Sequence, residues 1–208
     1  SRHDETYLVE TLFDGDRAEL LTDYARPPAF ADTLDEIPGT SSRPHWFVGG
    51  ARTGSMMHQD TRCTCGWNAC LFGCKRWLML PPDTDVHALG LMPYSKSVSN
   101  WFADHLHRLQ RAASNGELRV RECLQMPGDL VYIPFGWHHA VVNLELSCAI
   151  AHTLITPKAL TPNAWEYLRY NWPAFTLTLH ELLQCARPQL SLSLAPPSME
   201  QGAPIASM

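Results

Sequence analysis

The segment His58-Gln59-Asp60 places an imidazole and a carboxylate two residues apart. On an extended strand, residues i and i+2 point to the same side, so both side chains could reach one ion. A second histidine from another strand would complete a set of two histidines and one carboxylate. Such a set covers one face of a metal and leaves three positions open, which suits Fe(II) that must also bind a co-substrate and O2. Taken alone, the pair also fits an ordinary surface turn.

A second histidine is available at the end of the segment Pro127-Gly-Asp-Leu-Val-Tyr-Ile-Pro-Phe-Gly-Trp-His-His. This segment predicts a tight turn, a buried strand and then a corner that delivers His138 and His139 to the mouth of a pocket. The alternative is a barrel strand whose terminal histidines are only solvated.

Lys75 is the third element of interest, in Gly73-Cys-Lys-Arg-Trp-Leu-Met-Leu. Because strand side chains alternate, Lys75 and Arg76 face opposite sides, and one of them should face inward or an edge. A buried ammonium group needs an anionic partner, such as the distal carboxylate of 2-oxoglutarate. The alternative is a solvent-facing lysine.

Three blocks, at residues 46–60, 66–77 and 127–144, resemble in order and spacing those of the JmjC-domain oxygenases, and the resemblance covers roughly residues 5–155. It implies a mainly β fold, the double-stranded β-helix of the cupin class, with N-terminal, inserted and C-terminal helices. It further implies one Fe(II) held by His58, Asp60 and His139. His139 is favoured because the family has an asparagine four residues after its third ligand, where this chain has Asn143. His138 is the competing candidate.

The same resemblance implies a set of residues that bind 2-oxoglutarate: Lys75, Asn68, Ser55 and Tyr7. One departure stands out, because Ala151 replaces a threonine that binds this co-substrate in the family. Thr153 lies on the same strand face and could take its place. If it does not, binding of 2-oxoglutarate should be weaker.

The resemblance also implies the reaction, in which 2-oxoglutarate and O2 are used to oxidise a protein or peptide substrate at lysine or arginine. Lysyl 5-hydroxylation is favoured over N-methyl demethylation. Acidic side chains such as Asp83, Asp85 or Glu145 could attract the cationic target, or could be ordinary solvated surface. Other functions stay open: an oxygenase acting on a modified tRNA base, a non-catalytic cupin binding module, and a small-molecule-binding β-barrel without a metal.

Composition limits the partners. Of the 208 residues, 45% are hydrophobic, and the net charge is -5 with no basic tract, so nonspecific nucleic-acid binding is not favoured although nucleic acid is not excluded. No apolar run is long enough to span a membrane. Seven cysteines, an odd number, predict reduced thiols in a nuclear or cytoplasmic protein, the nucleus being favoured by the resemblance. Cys63 and Cys65 are better explained as free thiols near the pocket mouth than as part of a zinc site.

The predicted organisation has four parts. Residues 1–45 form a lead-in with a short strand at Tyr7 and a helix from Asp16, and residues 46–160 form the β core with a helical insertion near 98–113. Residues 161–187 are predicted to be helical, and either form a homodimer interface or cap the barrel. Residues 188–208, rich in Pro, Ser and Ala, are predicted to be disordered.

Overall fold

The computed structural model describes residues 6–11, 15–35, 37–38, 40, 44–94 and 96–194. Within these residues, the strands are β1 (Tyr7–Glu10), β2 (His45–Gly49), β3 (Gly54–His58), β4 (Cys65–Phe72), β5 (Lys75–Leu80), β6 (Arg121–Gln125), β7 (Leu130–Ile133), β8 (His138–Asn143) and β9 (Ser147–Leu154). The α-helices are α1 (Val98–Ser114), α2 (Pro162–Asn171), α3 (Pro173–Ala186) and α4 (Pro188–Leu192). Short 3-10 helices lie at Gly15–Leu21, Pro28–Phe30 and Pro157–Ala159.

The strands form two antiparallel sheets with interleaved connectivity. One sheet has the order β1-β2-β9-β4-β7, and the other has the order β3-β8-β5-β6. Consecutive strands such as β3 and β4 therefore belong to different sheets, as expected for a double-stranded β-helix. Side chains from both sheets line one internal cavity. The predicted mainly β cupin fold is confirmed.

Helix α1 is the predicted insertion, and it covers the outer face of the four-stranded sheet. Ser97 caps its N-terminus by accepting a hydrogen bond from the backbone N–H of Asn100. Trp101 and Leu109 are buried in a cluster that includes Leu78 of β5. The burial of these large apolar side chains fixes the back of β5, and thereby the side of the strand on which Lys75 faces inward.

The C-terminal helices pack against their own barrel. Trp165 and Leu168 of α2 are buried together with Leu183 of α3 and Ile155, which follows β9. These helices therefore cap the barrel, while Tyr170 and Leu192 remain exposed.

Two sequence predictions differ from the structure. The helix expected from Asp16 is a 3-10 helix that ends at Leu21. Residues 188–192 form α4, so the predicted disorder from residue 188 is wrong at its start, because Ser191 and Leu194 are buried against the preceding helices. The rest of that tail, residues 195–208, lies outside the described residues. In the described part of the chain, none of the helices has the length and apolar character needed to cross a bilayer.

Candidate metal and co-substrate site

His58, Asp60 and His139 converge at one end of the internal cavity. The Nε2 atoms of both histidines lie 3.8 Å from Oδ1 of Asp60, and one ligand atom from each residue lies within 4.8 Å of the others. Strand pairing explains the meeting, because His58 at the end of β3 is directly opposite His139 on β8. Asp60 lies two residues after the end of β3. Among the described residues, this is the one group of three side chains that could hold a metal ion.

The hydrogen bonds of the two imidazoles leave Nε2 of each ring available to bind a metal. Nδ1 of His58 lies 2.6 Å from the carbonyl oxygen of Met56, and Nδ1 of His139 lies 3.1 Å from that of Trp137. A carbonyl oxygen can only accept, so each Nδ1 carries the proton and each Nε2 presents its lone pair. Backbone partners of this kind orient metal-binding histidines. Burial, with a smaller contribution from His58, lowers the pKa of His139 to about 4, which keeps the ring neutral. The donor set fits a divalent ion such as Fe(II).

His138, the competing candidate, faces away from this group. It pairs with Leu80 of β5, and its Nε2 lies 3.2 Å from the amide nitrogen of Gln59. The same Gln59 nitrogen donates to the carbonyl oxygen of Gly136 at 2.5 Å. The structure thus groups His139, and not His138, with His58 and Asp60.

Lys75 lies inside the barrel, with 1% of its surface exposed. Its ammonium group donates a hydrogen bond of 2.8 Å to Oδ1 of Asn143, the residue directly opposite on β8. Asn143 is fixed in turn, because its Nδ2 donates to the carbonyl oxygen of Gly49 and to Oγ1 of Thr53. Burial lowers the pKa of Lys75. In the described chain this cation has a neutral amide as partner and no ion pair, so a carboxylate in the cavity would complete its environment.

A buried network links the metal side of the cavity to Asn68. The ring of Trp77 stacks on His139 with centroids 6.1 Å apart, and its Nε1 donates to Oε1 of Gln125 at 2.7 Å. The amide of Gln125 donates to Oδ1 of Asn68 at 3.1 Å. Oδ1 of Asn68 is the acceptor of this bond, and Asn68 also lines the cavity. Gln125 was not predicted, since its polar partners come from strands far away in the sequence.

The other predicted co-substrate residues also line this cavity of about 250 Å³: Tyr7, Ser55 and Thr153, together with Ala151. Burial raises the pKa of Tyr7, and a hydrogen bond with Ser55 opposes that rise. A Cβ atom on Gly49 would lie 2.6 Å from the Tyr7 ring, so a glycine is needed where Tyr7 packs over β2. Ala151 pairs with Asn68, and Thr153 lies one step further along the same face of β9.

One interpretation of the site surroundings is confirmed and one needs correction. Cys63 and Cys65 are free thiols, as predicted; both are buried, and burial raises the pKa of Cys63 to about 12. The suggested acidic residues lie elsewhere: Asp83 pairs with Arg119 in a separate surface cleft, which Asp85 also lines. Glu145 lies in the turn after β8, beyond the Lys75 end of that strand. None of these three acidic residues is among the described residues that line the cavity.

A second cavity of about 400 Å³ adjoins the metal group, and the sequence did not predict its most distinctive residue. His58, Asp60 and Thr153 line both cavities. The outer one is completed by Arg62 together with Trp172 and Phe175, which the C-terminal helices contribute. Nothing in the local sequence links Arg62 to aromatic residues more than a hundred positions later.

Comparison with a protein-family model and with individual proteins points to one family. The family model described as "JmjC domain, hydroxylase" matches residues 45–154. The chain is 31% identical over 193 residues to the bifunctional arginine demethylase and lysyl-hydroxylase psr-1 of Caenorhabditis briggsae, covering 86% of this chain and 48% of that protein. It is 32% identical over 164 residues to the lysine-specific demethylase JMJ21 of Arabidopsis thaliana, covering 73% and 17% respectively. It is 32% identical over 129 residues to the mouse 2-oxoglutarate and iron-dependent oxygenase JMJD4, covering 59% and 28%. The chain thus spans less than half of the length of each of these relatives.

Proposed function

Because the chain belongs to the JmjC-domain hydroxylase family, we propose that it is an Fe(II)- and 2-oxoglutarate-dependent dioxygenase that oxidises lysine or arginine side chains of proteins. The observation that carries the proposal is the group of His58, Asp60 and His139 at one end of a cavity whose other lining includes the buried Lys75. The names of the relatives, which include a lysyl-hydroxylase and arginine and lysine demethylases, support this choice of substrate.

In this proposal His58, Asp60 and His139 hold the metal through two neutral imidazoles and one carboxylate. Lys75, positioned by Asn143, binds the distal carboxylate of 2-oxoglutarate, while Asn68 offers an N–H group. A bound Fe(II) would enable O2 to oxidise a substrate C–H bond to an alcohol while 2-oxoglutarate is converted to succinate and CO2. The protein's own contribution is to orient the two substrates and to restrict water in the apolar part of the cavity around Trp77 and Val141.

Hydroxylation of a lysine side-chain carbon gives a stable alcohol, whereas hydroxylation of an N-methyl group gives a product that releases formaldehyde. We propose lysyl 5-hydroxylation as the principal reaction and demethylation as the alternative. Mass spectrometry of lysine and methyl-arginine peptides after reaction distinguishes a gain of one oxygen from the loss of a methyl group.

The first test measures succinate produced by the purified chain with Fe(II), 2-oxoglutarate and O2, alongside the affinity for Mn(II) as a redox-inert substitute. His58→Ala and His139→Ala should abolish both signals, whereas His138→Ala should retain Mn(II) binding. His107→Ala is the matched control, since His107 is exposed on α1 away from the cavity. Activity of His58→Ala equal to that of the unmodified chain would refute the proposal.

The alternative of a non-catalytic cupin module rests on Ala151, which contributes no hydroxyl to the cavity. A titration separates the two functions, because a dioxygenase must bind 2-oxoglutarate in a metal-dependent way. A chain that binds metal, fails to bind 2-oxoglutarate and produces no succinate would be the binding module.

We also propose that the chain forms a homodimer through its C-terminal helices. Tyr170 and Leu192 are large side chains that remain exposed on α2 and α4, at 39% and 80%. Size-exclusion chromatography with light scattering on the unmodified chain and on Leu192→Ser tests it. A monomeric mass at all concentrations would exclude the dimer.

A further inference from the structure

We propose that Arg62 forms an anion-binding subsite beside the metal group, and that this subsite selects peptides with an acidic or phosphorylated residue close to the oxidised residue. The inference rests on the proposed function and adds to it a class of substrate sequence. It assigns a role to the outer cavity of about 400 Å³ that neither the metal group nor the 2-oxoglutarate residues require.

The outer cavity is the route by which a side chain could reach the metal. It shares His45, His58, Asp60 and Thr153 with the inner cavity, so a residue bound there lies beside the metal group. Its other walls are the loop that contains Arg62 and the junction between α2 and α3. A peptide is therefore contacted by both the loop and the helices while its target residue points inward.

The guanidinium of Arg62 lies over two aromatic rings. Its central carbon lies 5.3 Å from the centroid of the Trp172 ring and 5.4 Å from that of Phe175. Cation–π attraction uses the charge of the guanidinium and does not engage its N–H groups in conventional hydrogen bonds. A guanidinium edge matches a carboxylate or a phosphate, which it can bind through two parallel hydrogen bonds.

The loop that carries Arg62 is anchored in an unusual backbone conformation. Arg62 has φ 56° and Cys63 has φ 57°, in the left-handed region that non-glycine residues adopt infrequently. Cys63 is fully buried, and its thiol donates to the carbonyl oxygen of Ala164 in α2 at 3.1 Å. The packing of Cys63 against α2 thus keeps the preceding arginine over the aromatic pair.

The charges around the outer cavity favour an anion at Arg62. Within the described part of the chain, its titratable and charged lining residues are His45, His58, Asp60 and Arg62. Asp60 belongs to the metal group, and among the described residues Arg62 has no ion pair. An isolated arginine at this position would repel a nearby second cation on the substrate, whereas an acidic neighbour of the target residue would compensate it.

A peptide explains this arrangement better than a nucleic acid does. Proteins bind nucleic acids through many phosphate contacts from clustered Lys and Arg residues. This chain has a net charge of -5, and among the residues that the structure describes Arg62 is the one Lys or Arg that lines the outer cavity. A single cation beside aromatic rings suits one charged side chain in an otherwise neutral segment.

The experiment measures binding and turnover separately. Fluorescent 13-residue peptides with a central lysine carry a single Glu or Gln at one position from -4 to +4, and their Kd values are measured by anisotropy with Mn(II) and 2-oxoglutarate present. At one or two positions, Glu should bind about fivefold more tightly than Gln, the upper range for a partly exposed ion pair. The preference should decrease when NaCl is raised. Phosphoserine at the same position identifies whether a carboxylate or a phosphate is the better anion.

Variants assign the preference to its residue. Arg62→Gln should remove the difference between Glu and Gln peptides, and Arg62→Lys should retain part of it because the charge remains. Arg119→Gln is the matched control, an exposed arginine in a separate cleft, and should keep the full preference. Melting temperatures within a few degrees of the unmodified chain show that the variants are folded.

Measuring succinate formation separates the test of the proposed function from the test of the Arg62 subsite. If succinate forms but no position shows a Glu preference, or if Arg62→Gln keeps that preference, the subsite is refuted and the proposed function stands. If succinate never forms, the proposed function fails, and the Arg62-dependent peptide preference is still decided by anisotropy. A single-stranded oligonucleotide of equal length that binds more tightly than every peptide, in an Arg62-dependent way, would overturn the peptide assignment.

Discussion

Replacing Lys75 with methionine should leave the free energy of unfolding of the ligand-free chain almost unchanged and should lower the affinity for 2-oxoglutarate. The ammonium group is almost fully buried, and its hydrogen-bond partner is the neutral Asn143. Methionine has a similar length and no charge. In the absence of ligand, loss of one hydrogen bond is offset by removal of a buried cation, so the free energy of unfolding should change by less than about 1 kcal/mol.

The effect on 2-oxoglutarate should be much larger. A hydrogen bond between a buried cation and a carboxylate contributes about 1.5–3 kcal/mol, so the affinity should fall roughly 10- to 150-fold. At a ligand concentration 100 times the original Kd, binding stabilises the unmodified chain by about 2.7 kcal/mol. After a 100-fold loss of affinity the same concentration would stabilise the variant by only about 0.4 kcal/mol.

The assay is denaturant unfolding with Mn(II), with and without 2-oxoglutarate, together with calorimetric titration of the ligand. Lys158→Met is the control, because Lys158 is exposed beyond β9. A pH series adds a second readout. Since the pKa of Lys75 in the folded chain is below 10.5, the unfolded chain binds more protons as pH approaches 10.5, and stability from this group should rise with pH. Lys75→Met should lack that rise. Binding of 2-oxoglutarate by Lys75→Met within twofold of the unmodified chain would refute the assignment of Lys75.

Three further predictions follow from single residues. Burial lowers the pKa of His152 to about 4, so as pH falls from 6.5 to 4 the unfolded chain takes up a proton that the folded chain resists, and the folded chain loses stability. In chemical unfolding over this pH range, His152→Phe should lose about 2 kcal/mol less stability than the unmodified chain. An equal loss in both proteins would contradict this prediction. Ala151→Thr restores a hydroxyl beside Asn68 and should tighten 2-oxoglutarate binding by about 1 kcal/mol in titration, with Ala149→Thr as a strand control. Iodoacetamide should label the exposed Cys123 and Cys185 in the native chain and leave Cys63 unmodified, as peptide mapping by mass spectrometry can establish.

The sequence predicted the inner cavity better than its surroundings because strand alternation is a local property. The i and i+2 spacing of His58 and Asp60 placed both on one side of the chain, and alternation gave Lys75 or Arg76 as the inward residue. Alternation could not choose between His138 and His139, since either phase of β8 fits a buried strand. The choice of His139 came from the family resemblance, which implies an asparagine four residues after the third ligand; that residue is Asn143, whose side chain holds Lys75.

Features that depend on distant contacts were missed. The amide of Gln125 is satisfied by groups on β4 and β5, so its role becomes visible only when the two sheets face each other. From its neighbours in the sequence, Arg62 is expected to be an exposed loop residue. Only the packing of α2 and α3 brings aromatic rings to it. The disorder predicted from residue 188 was likewise inferred from composition, which does not register that Leu194 is buried in the cluster of α2 and α3.

The register between strands explains why the metal side and the Lys75 side of the inner cavity depend on the position of the same strand. On β8, His139 lies opposite His58 of β3, and four residues further Asn143 lies opposite Lys75 of β5. A shift of β8 by one residue would turn His139 and Asn143 to the outer face at the same time, removing a metal ligand and the partner of the buried lysine. The burial of Ala140 and Val142 against α1 opposes such a shift, because these residues would then face the cavity. Helix α1 therefore contributes to the site without touching it, by fixing the strand that carries one residue for the metal and one for the co-substrate.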